Sequence, residues 1–146
     1  MKSKLLHEEN GLKTFAVVFE KNDEVTDPLL AFANEHGLSA AQVTAIGAFS
    51  GVVLGYFDPQ KKSYTQIPVH EQVEVLSFLG NLTMEGGKCK LHAHVVVGKA
   101  DGTAHGGHFL QGKVWPTLEM VVAETPQHLR RVRDENTGLA LIDLAA

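Results

Sequence analysis

Apolar positions along this chain fall mostly into short runs with strand spacing, and only once into helical spacing. Lys13-Thr14-Phe15-Ala16-Val17-Val18-Phe19 is a β-rich run that predicts a strand. Glu20 to Glu24 is polar and turn-like. Thr26-Asp27-Pro28 then reads as a helix start, with Thr or Asp as cap and proline in the first turn. Leu29, Leu30, Phe32 and Ala33 follow at helical spacing, and His36-Gly37 supplies a glycine stop. A second short helical turn is expected from Ser39.

From Val43 onward the pattern is β. Val43–Phe49 and Val52–Asp58 predict two strands parted by Ser50-Gly51. Asp58 to Lys62 is a turn leading into Tyr64-Thr65-Gln66-Ile67. Val73–Thr83 predicts one long strand or a bulged pair, because Gly80 inside it is a bulge signal. Glu85-Gly86-Gly87-Lys88 is a turn, Leu91–Val97 a strand, and Gly98–Gly107 a glycine-rich loop. Lys113–Ala123 predicts a strand interrupted at Pro116. Gln127–Asp134 reads as a short polar helix or turn, and Leu139–Leu144 as a last strand. Strands run consecutively instead of alternating with helices. That predicts one α+β domain over residues 1–146, with a mostly antiparallel sheet and one or two helices.

Composition agrees. The chain has 146 residues, 44% of them apolar and 21% charged, which suits a single globular domain with a real core. Thirteen cationic residues against 17 acidic ones give a net charge of −4, which argues against a general polyanion binder. The single cysteine, Cys89, excludes an internal disulfide or a thiolate metal cluster and reads as a small apolar residue. No apolar run reaches about 18 residues, and the segment from Met1 turns acidic at once, so no membrane partner and a cytoplasmic location are expected.

Histidine is the unusual residue, with eight copies. His92-Ala93-His94 lies inside an apolar β run, where residues i and i+2 share a face. Both imidazoles therefore project side by side. A glycine-rich loop follows, then His105-Gly106-Gly107-His108. If the chain pairs back after the loop, a third imidazole completes a triangle. Three such ligands suit zinc, iron, copper or nickel and leave one position open for water or a small-molecule ligand. His108 is favoured as the third ligand because its glycine neighbours allow close backbone approach, with His105 as the alternative. His7, His36, His70 and His128 are dispersed and read as incidental. A cupin is rejected: Gly86 and His92-Ala93-His94 match its opening, but Val95 to Lys99 offers no glutamate ligand.

Five segments in order resemble the plants-and-prokaryotes-conserved (PPC) domain. They are Ala45–Ser50 running into Leu54–Asp58, Val73–Asn81, Leu91–Val95, Gly106–Phe109 and Gly112–Met120. The resemblance covers essentially the whole chain. It implies an α+β fold with a partly barrel-like sheet, a homotrimer, and a DNA-binding label borne by stand-alone prokaryotic members through analogy with plant proteins. This chain has no AT-hook, and Glu71-Gln72-Val73 stands where the plant domain has Gly-Arg-Phe. Its densest cationic cluster is Arg130-Arg131-Val132-Arg133, followed by Asp134-Glu135. Direct DNA binding is thus implied by the family and opposed by the charge. The fold group also resembles acetolactate decarboxylase, whose zinc triad implies His92, His94 and His108 here. In strict spacing His105 would fall at the third ligand. That likeness implies a zinc-dependent lyase on a small keto acid as an enzymatic alternative, with Glu119 as candidate acid/base and zinc or another divalent transition metal as cofactor.

Overall fold

Side-chain alternation along the strands organises the molecule. In β6 (Lys88–Gly98), Cys89, Ala93, Val95 and Val97 are buried, while Lys90, His94 and Val96 are exposed. One face enters the core and the other leaves it. The structure is a computed structural model that describes residues 1–125 and 129–145. The other elements are β1 (Lys2–Glu9), β2 (Leu12–Glu20), α1 (Thr26–Glu35), β3 (Ala41–Asp58), β4 (Ser63–Val69), β5 (Val73–Glu85), β7 (Ala104–Glu124), β8 (Arg130–Arg133) and β9 (Ala140–Asp143).

Pairing closes part of the sheet on itself. β3 pairs with both β5 and β7, β5 pairs with β6, and β6 pairs with β7. The four strands form an uneven ring around Phe49, Phe78, Leu82 and Leu118, all fully buried. β1 and β2 extend the sheet beyond β7, β4 folds back on β3, and β8 and β9 continue it beyond β5. Every pairing is antiparallel except β5 with β8, which meets at Met84 and Arg130. The α+β architecture expected from the sequence is therefore present, with a mixed sheet and one helix among the described residues. α1 adds Leu29, Phe32 and Ala33 to the core.

Several local expectations are corrected. No helical turn follows Ser39; the chain extends directly into β3. The first ten residues, unassigned from the pattern, contain β1, whose side chains are all exposed and so leave no period-two signal. Ser50-Gly51 does not divide β3, because irregular register on either side of it absorbs the break. Pro116 does not interrupt β7. It falls in the register gap between Val114 and Leu118 opposite β3, and β2 pairing begins only at Thr117, so no ladder bond is lost. The loop after β6 is confined to residues 99–103, and the rest of Gly98–Gly107 is strand. Of the polar helix or turn expected at Gln127–Asp134, Gln127 and His128 lie outside the described residues, and Arg130–Arg133 is β8. The helix begins after Val25 with no side-chain cap; Asp27 only places an acid in the first turn.

Gly80 marks a close approach, not a bulge. The β5 register shift lies between Val75 and Ser77 instead. A Cβ on Gly80 would stand 2.6 Å from the His92 carbonyl oxygen and 2.7 Å from the Ala93 Cβ. Both atoms belong to backbone-anchored positions on β6, so a side chain there must push the two strands apart. Gly80→Ala is expected to destabilise the fold by about 1–3 kcal/mol in urea unfolding. Gly86→Ala, at an open turn position with φ +55°, is expected to cost less. Equal stability of Gly80→Ala and the parent chain would contradict this packing.

Candidate metal centre

Strand register brings three histidines together. His94 on β6 sits directly opposite His108 on β7. His92 lies two residues earlier on β6, on the same face. Ring centroids are separated by 5.4 Å for His92–His94, 5.1 Å for His92–His108 and 5.6 Å for His94–His108. One nitrogen from each ring lies within 4.8 Å of the other two. His92 and His108 are half-buried and His94 is exposed, so the cluster is reached from the outer face of the ring.

Glycines on β3 and β7 shape this corner. A Cβ on Gly107 would stand 2.8 Å from the Gly55 carbonyl, so only glycine lets β7 come this close to β3 beside His108. Gly55 itself pairs with His108, and a Cβ there would meet the Tyr64 ring at 2.9 Å. The space left by Gly55 admits Tyr64 from β4. Its ring stacks on His108 with centroids 4.3 Å apart and planes 18° from parallel. Tyr64 thereby fixes one face of the His108 imidazole.

Burial disfavours the charged form of two of the rings, His92 and His108. Burial, and then the neighbouring His92 and His94, push the His108 pKa from 6.5 down to about 4. Burial lowers the His92 pKa as well, helped by the Arg131 charge and by His94. Neutral imidazole is the form that binds a metal. His108 also carries the one buried side-chain nitrogen or oxygen without a hydrogen-bond partner among the described residues, its Nδ1. Three convergent imidazoles, one of them short of a partner, fit a divalent transition ion. The ligand nitrogens of a tetrahedral site stand about 3.4 Å apart with metal–nitrogen bonds near 2.05 Å, so side-chain adjustment alone could close the triangle.

The other sequence candidates lie elsewhere. His105 is exposed, pairs with Val97 across the ladder, and is outside the cluster. Glu119 is exposed on β7 opposite Ile46 and Val18, also outside it, in an outer-face groove with Thr44, Leu79 and Val121. His7 is exposed near Glu9, and His36 packs on Phe15 and Phe32. His128 lies outside the described residues. The Arg130–Arg133 cluster divides: Arg130 and Arg133 are exposed, whereas Arg131 is buried and donates to Asn81, Thr83 and Ala140. Tyr64, Asn81 and Arg131 were not singled out as site residues from the pattern. The one available signal was strand alternation within Arg130-Arg131-Val132, which separates Arg131 from its neighbours' face.

A model of the Plants and Prokaryotes Conserved (PCC) domain matches residues 6–126. A Bacteroides thetaiotaomicron protein provisionally described as DNA-binding is 26% identical, with a TM-score of 0.89 and coverage of 99% of both chains. A metal-containing protein from Archaeoglobus fulgidus is 32% identical, with a TM-score of 0.81 over 97% of this chain and 99% of that one. The α-acetolactate decarboxylase of Bacillus subtilis shares the fold at a TM-score of 0.56 and 13% identity, over 84% of this chain and 57% of the enzyme. No curated protein matches significantly by sequence. No helix among the described residues is long and apolar enough to cross a membrane.

The depressed His108 pKa sets an acid limit. The unfolded chain takes up a proton near pH 6.5, but the folded ring resists until about pH 4. Between these values the unfolded state binds more protons, so stability falls as the pH falls. Chelator-treated protein is expected to lose stability on acidification through this window, as read by urea unfolding. His108→Gln is expected to flatten that pH dependence; an unchanged slope would contradict the assigned cause.

Proposed function

Because the chain belongs to the Plants and Prokaryotes Conserved (PCC) domain family, we propose that it is a homotrimer whose working part is a metal centre of unassigned chemistry, built from His92, His94 and His108. The carrying observation is the convergence of three imidazole nitrogens within 4.8 Å. The metal-containing relative at 32% identity supports the reading. Zinc is the proposed ion, because three imidazoles with a fourth position open is a common catalytic-zinc set. Bound there, it would supply Lewis-acid polarisation of a ligand oxygen. The three histidines would hold the ion, and Tyr64 would keep His108 in place.

The outer face supports self-association. Ile46, Leu76, Leu79, Val96 and Val121 are all exposed there. Leu79 pairs with both Thr44 and His94, and Val121 pairs with Thr44, so the patch runs up to the cluster. A contiguous apolar face of this kind suits an interface. The family resemblance sets the number at three, and a closed ring of identical contacts satisfies it. The enzymatic version, a zinc-dependent lyase on a small keto acid, takes its motive from the decarboxylase fold, and that likeness carries fold alone.

DNA binding is the weaker reading. It rests on relatives described as DNA-binding, while the chain is acidic at −4 and buries one of the three arginines in its basic cluster. Counterion release therefore offers little driving force.

Native mass spectrometry of untagged protein prepared without chelator is expected to find a trimer with one zinc per chain. His92→Ala is expected to keep the trimer and lose the ion, and Leu79→Lys to weaken assembly. Metal-free parent protein would overturn the metal reading. In a fluorescence titration at about 50 mM salt, no affinity for an AT-rich duplex is expected; salt-sensitive binding would restore the DNA reading.

A further inference from the structure

Arg131 is the least expected charge in the molecule. It sits on β8 with 9% of its surface exposed. Its Nε donates to Thr83 Oγ1 at 2.9 Å, Nη1 to the Ala140 carbonyl at 2.7 Å, and Nη2 to Asn81 Oδ1 at 3.0 Å. All three acceptors are neutral, and they use three of the five N–H donors of a guanidinium. Among the described residues no carboxylate forms an ion pair with it. A buried cation whose hydrogen bonds all go to neutral groups is costly, and Glu85 offsets that cost only through space. Three separate bonds, two to β5 and one to β9, nevertheless hold this one in place.

Next to it lies a cavity of about 190 Å³, lined by Tyr64, Leu91, His92, His108, Arg131 and Leu141 among others. It joins the guanidinium to two rings of the histidine cluster. Lys90 and Glu85 also line it, so its fixed charges sum to one positive, leaving histidines neutral. Its volume is below the roughly 300–1,000 Å³ of sites for drug-sized ligands, so the occupant is small. Leu91, Leu139 and Leu141 supply apolar wall beside the guanidinium, and a less polar wall strengthens an ion pair formed against it.

We infer that this cavity is a subsite for a small monocarboxylate, held by the two remaining N–H donors of Arg131 beside the histidine cluster. The inference rests on the metal reading only for what the far end of the ligand meets; the carboxylate contact needs no metal. A planar carboxylate matches a guanidinium edge. The single net positive charge of the wall is balanced by a monoanion, whereas a dianion such as phosphate would leave one negative charge uncompensated beside Glu85. Asn81 has a second part: it accepts from Arg131 and pairs with His92 across β5 and β6, so it ties the anion subsite to the cluster.

The test is a titration with pyruvate, followed by amide NMR shifts and calorimetry, on chelated and on zinc-loaded protein. Sodium chloride at matched ionic strength and inorganic phosphate serve as comparisons. Chelated protein is expected to bind pyruvate in preference to both, with shifts at Thr83, Arg131 and Leu141. Arg131→Gln is expected to weaken binding at least tenfold, and Arg131→Lys to restore part of it. Leu141→Trp fills the cavity from β9 without touching the three acceptors, and is expected to abolish binding even where Arg131→Gln fails to fold. Pyruvate binding that survives Leu141→Trp, or that is no tighter than chloride, would overturn the inference; preference for phosphate would overturn the carboxylate assignment. Arg131-dependent binding in chelated protein, with no gain on adding zinc, would support the subsite and count against the metal centre.

Discussion

The pairing of β6 with β7 is the contact on which the site depends. It closes the β3–β5–β6–β7 ring, and in the same register it sets His94 opposite His108. Closure fixes which face of each strand is inside. Ala93, Val95 and Val97 turn inward to pack with Phe78 and Phe109, so His92 and His94 must turn outward. A slip of one residue would bury imidazoles and expose valines. The hydrophobic effect that builds the core thus also orients the cluster.

Small residues let the ring close tightly enough. Gly80 lets β5 approach the backbone between His92 and Ala93, and Gly107 lets β7 approach Gly55. Gly55 in turn leaves space for Tyr64 to lie on His108. Each glycine removes a side chain at a place where backbone or ring must come within contact distance. The outcome is a cluster of three imidazoles on one side, with His92 and His108 half-buried and held towards the neutral form, and a buried guanidinium on the other. That is an electropositive corner in a chain whose net charge is negative.

Much of this was legible in the sequence, for identifiable reasons. Leu29, Leu30, Phe32 and Ala33 have helical spacing, and α1 forms there. The two-residue spacing of His92 and His94 fixes their shared face without any tertiary knowledge. Gly106-Gly107 pointed to His108 as the residue at a close backbone approach, and His108 is the one that reaches the cluster. What stayed hidden depends on long-range register. Pro116 looked like a break because its neighbours across the sheet cannot be known from its own segment. Arg131 looked like one of three surface cations, since only the pairing of β8 with β5 and β9 turns it inward. Tyr64 carries no local sign that it will meet a histidine 44 positions away.

The central claim is that closure of the ring creates one metal site with His92, His94 and His108 as its protein ligands. Anomalous diffraction from crystals of protein never exposed to chelator tests this most directly, with data on both sides of the zinc edge. The account predicts a single strong peak per chain, within about 2.0–2.1 Å of one nitrogen from each of these three rings. Absence of any peak there, or a peak coordinated by His105 in place of His108, would contradict it.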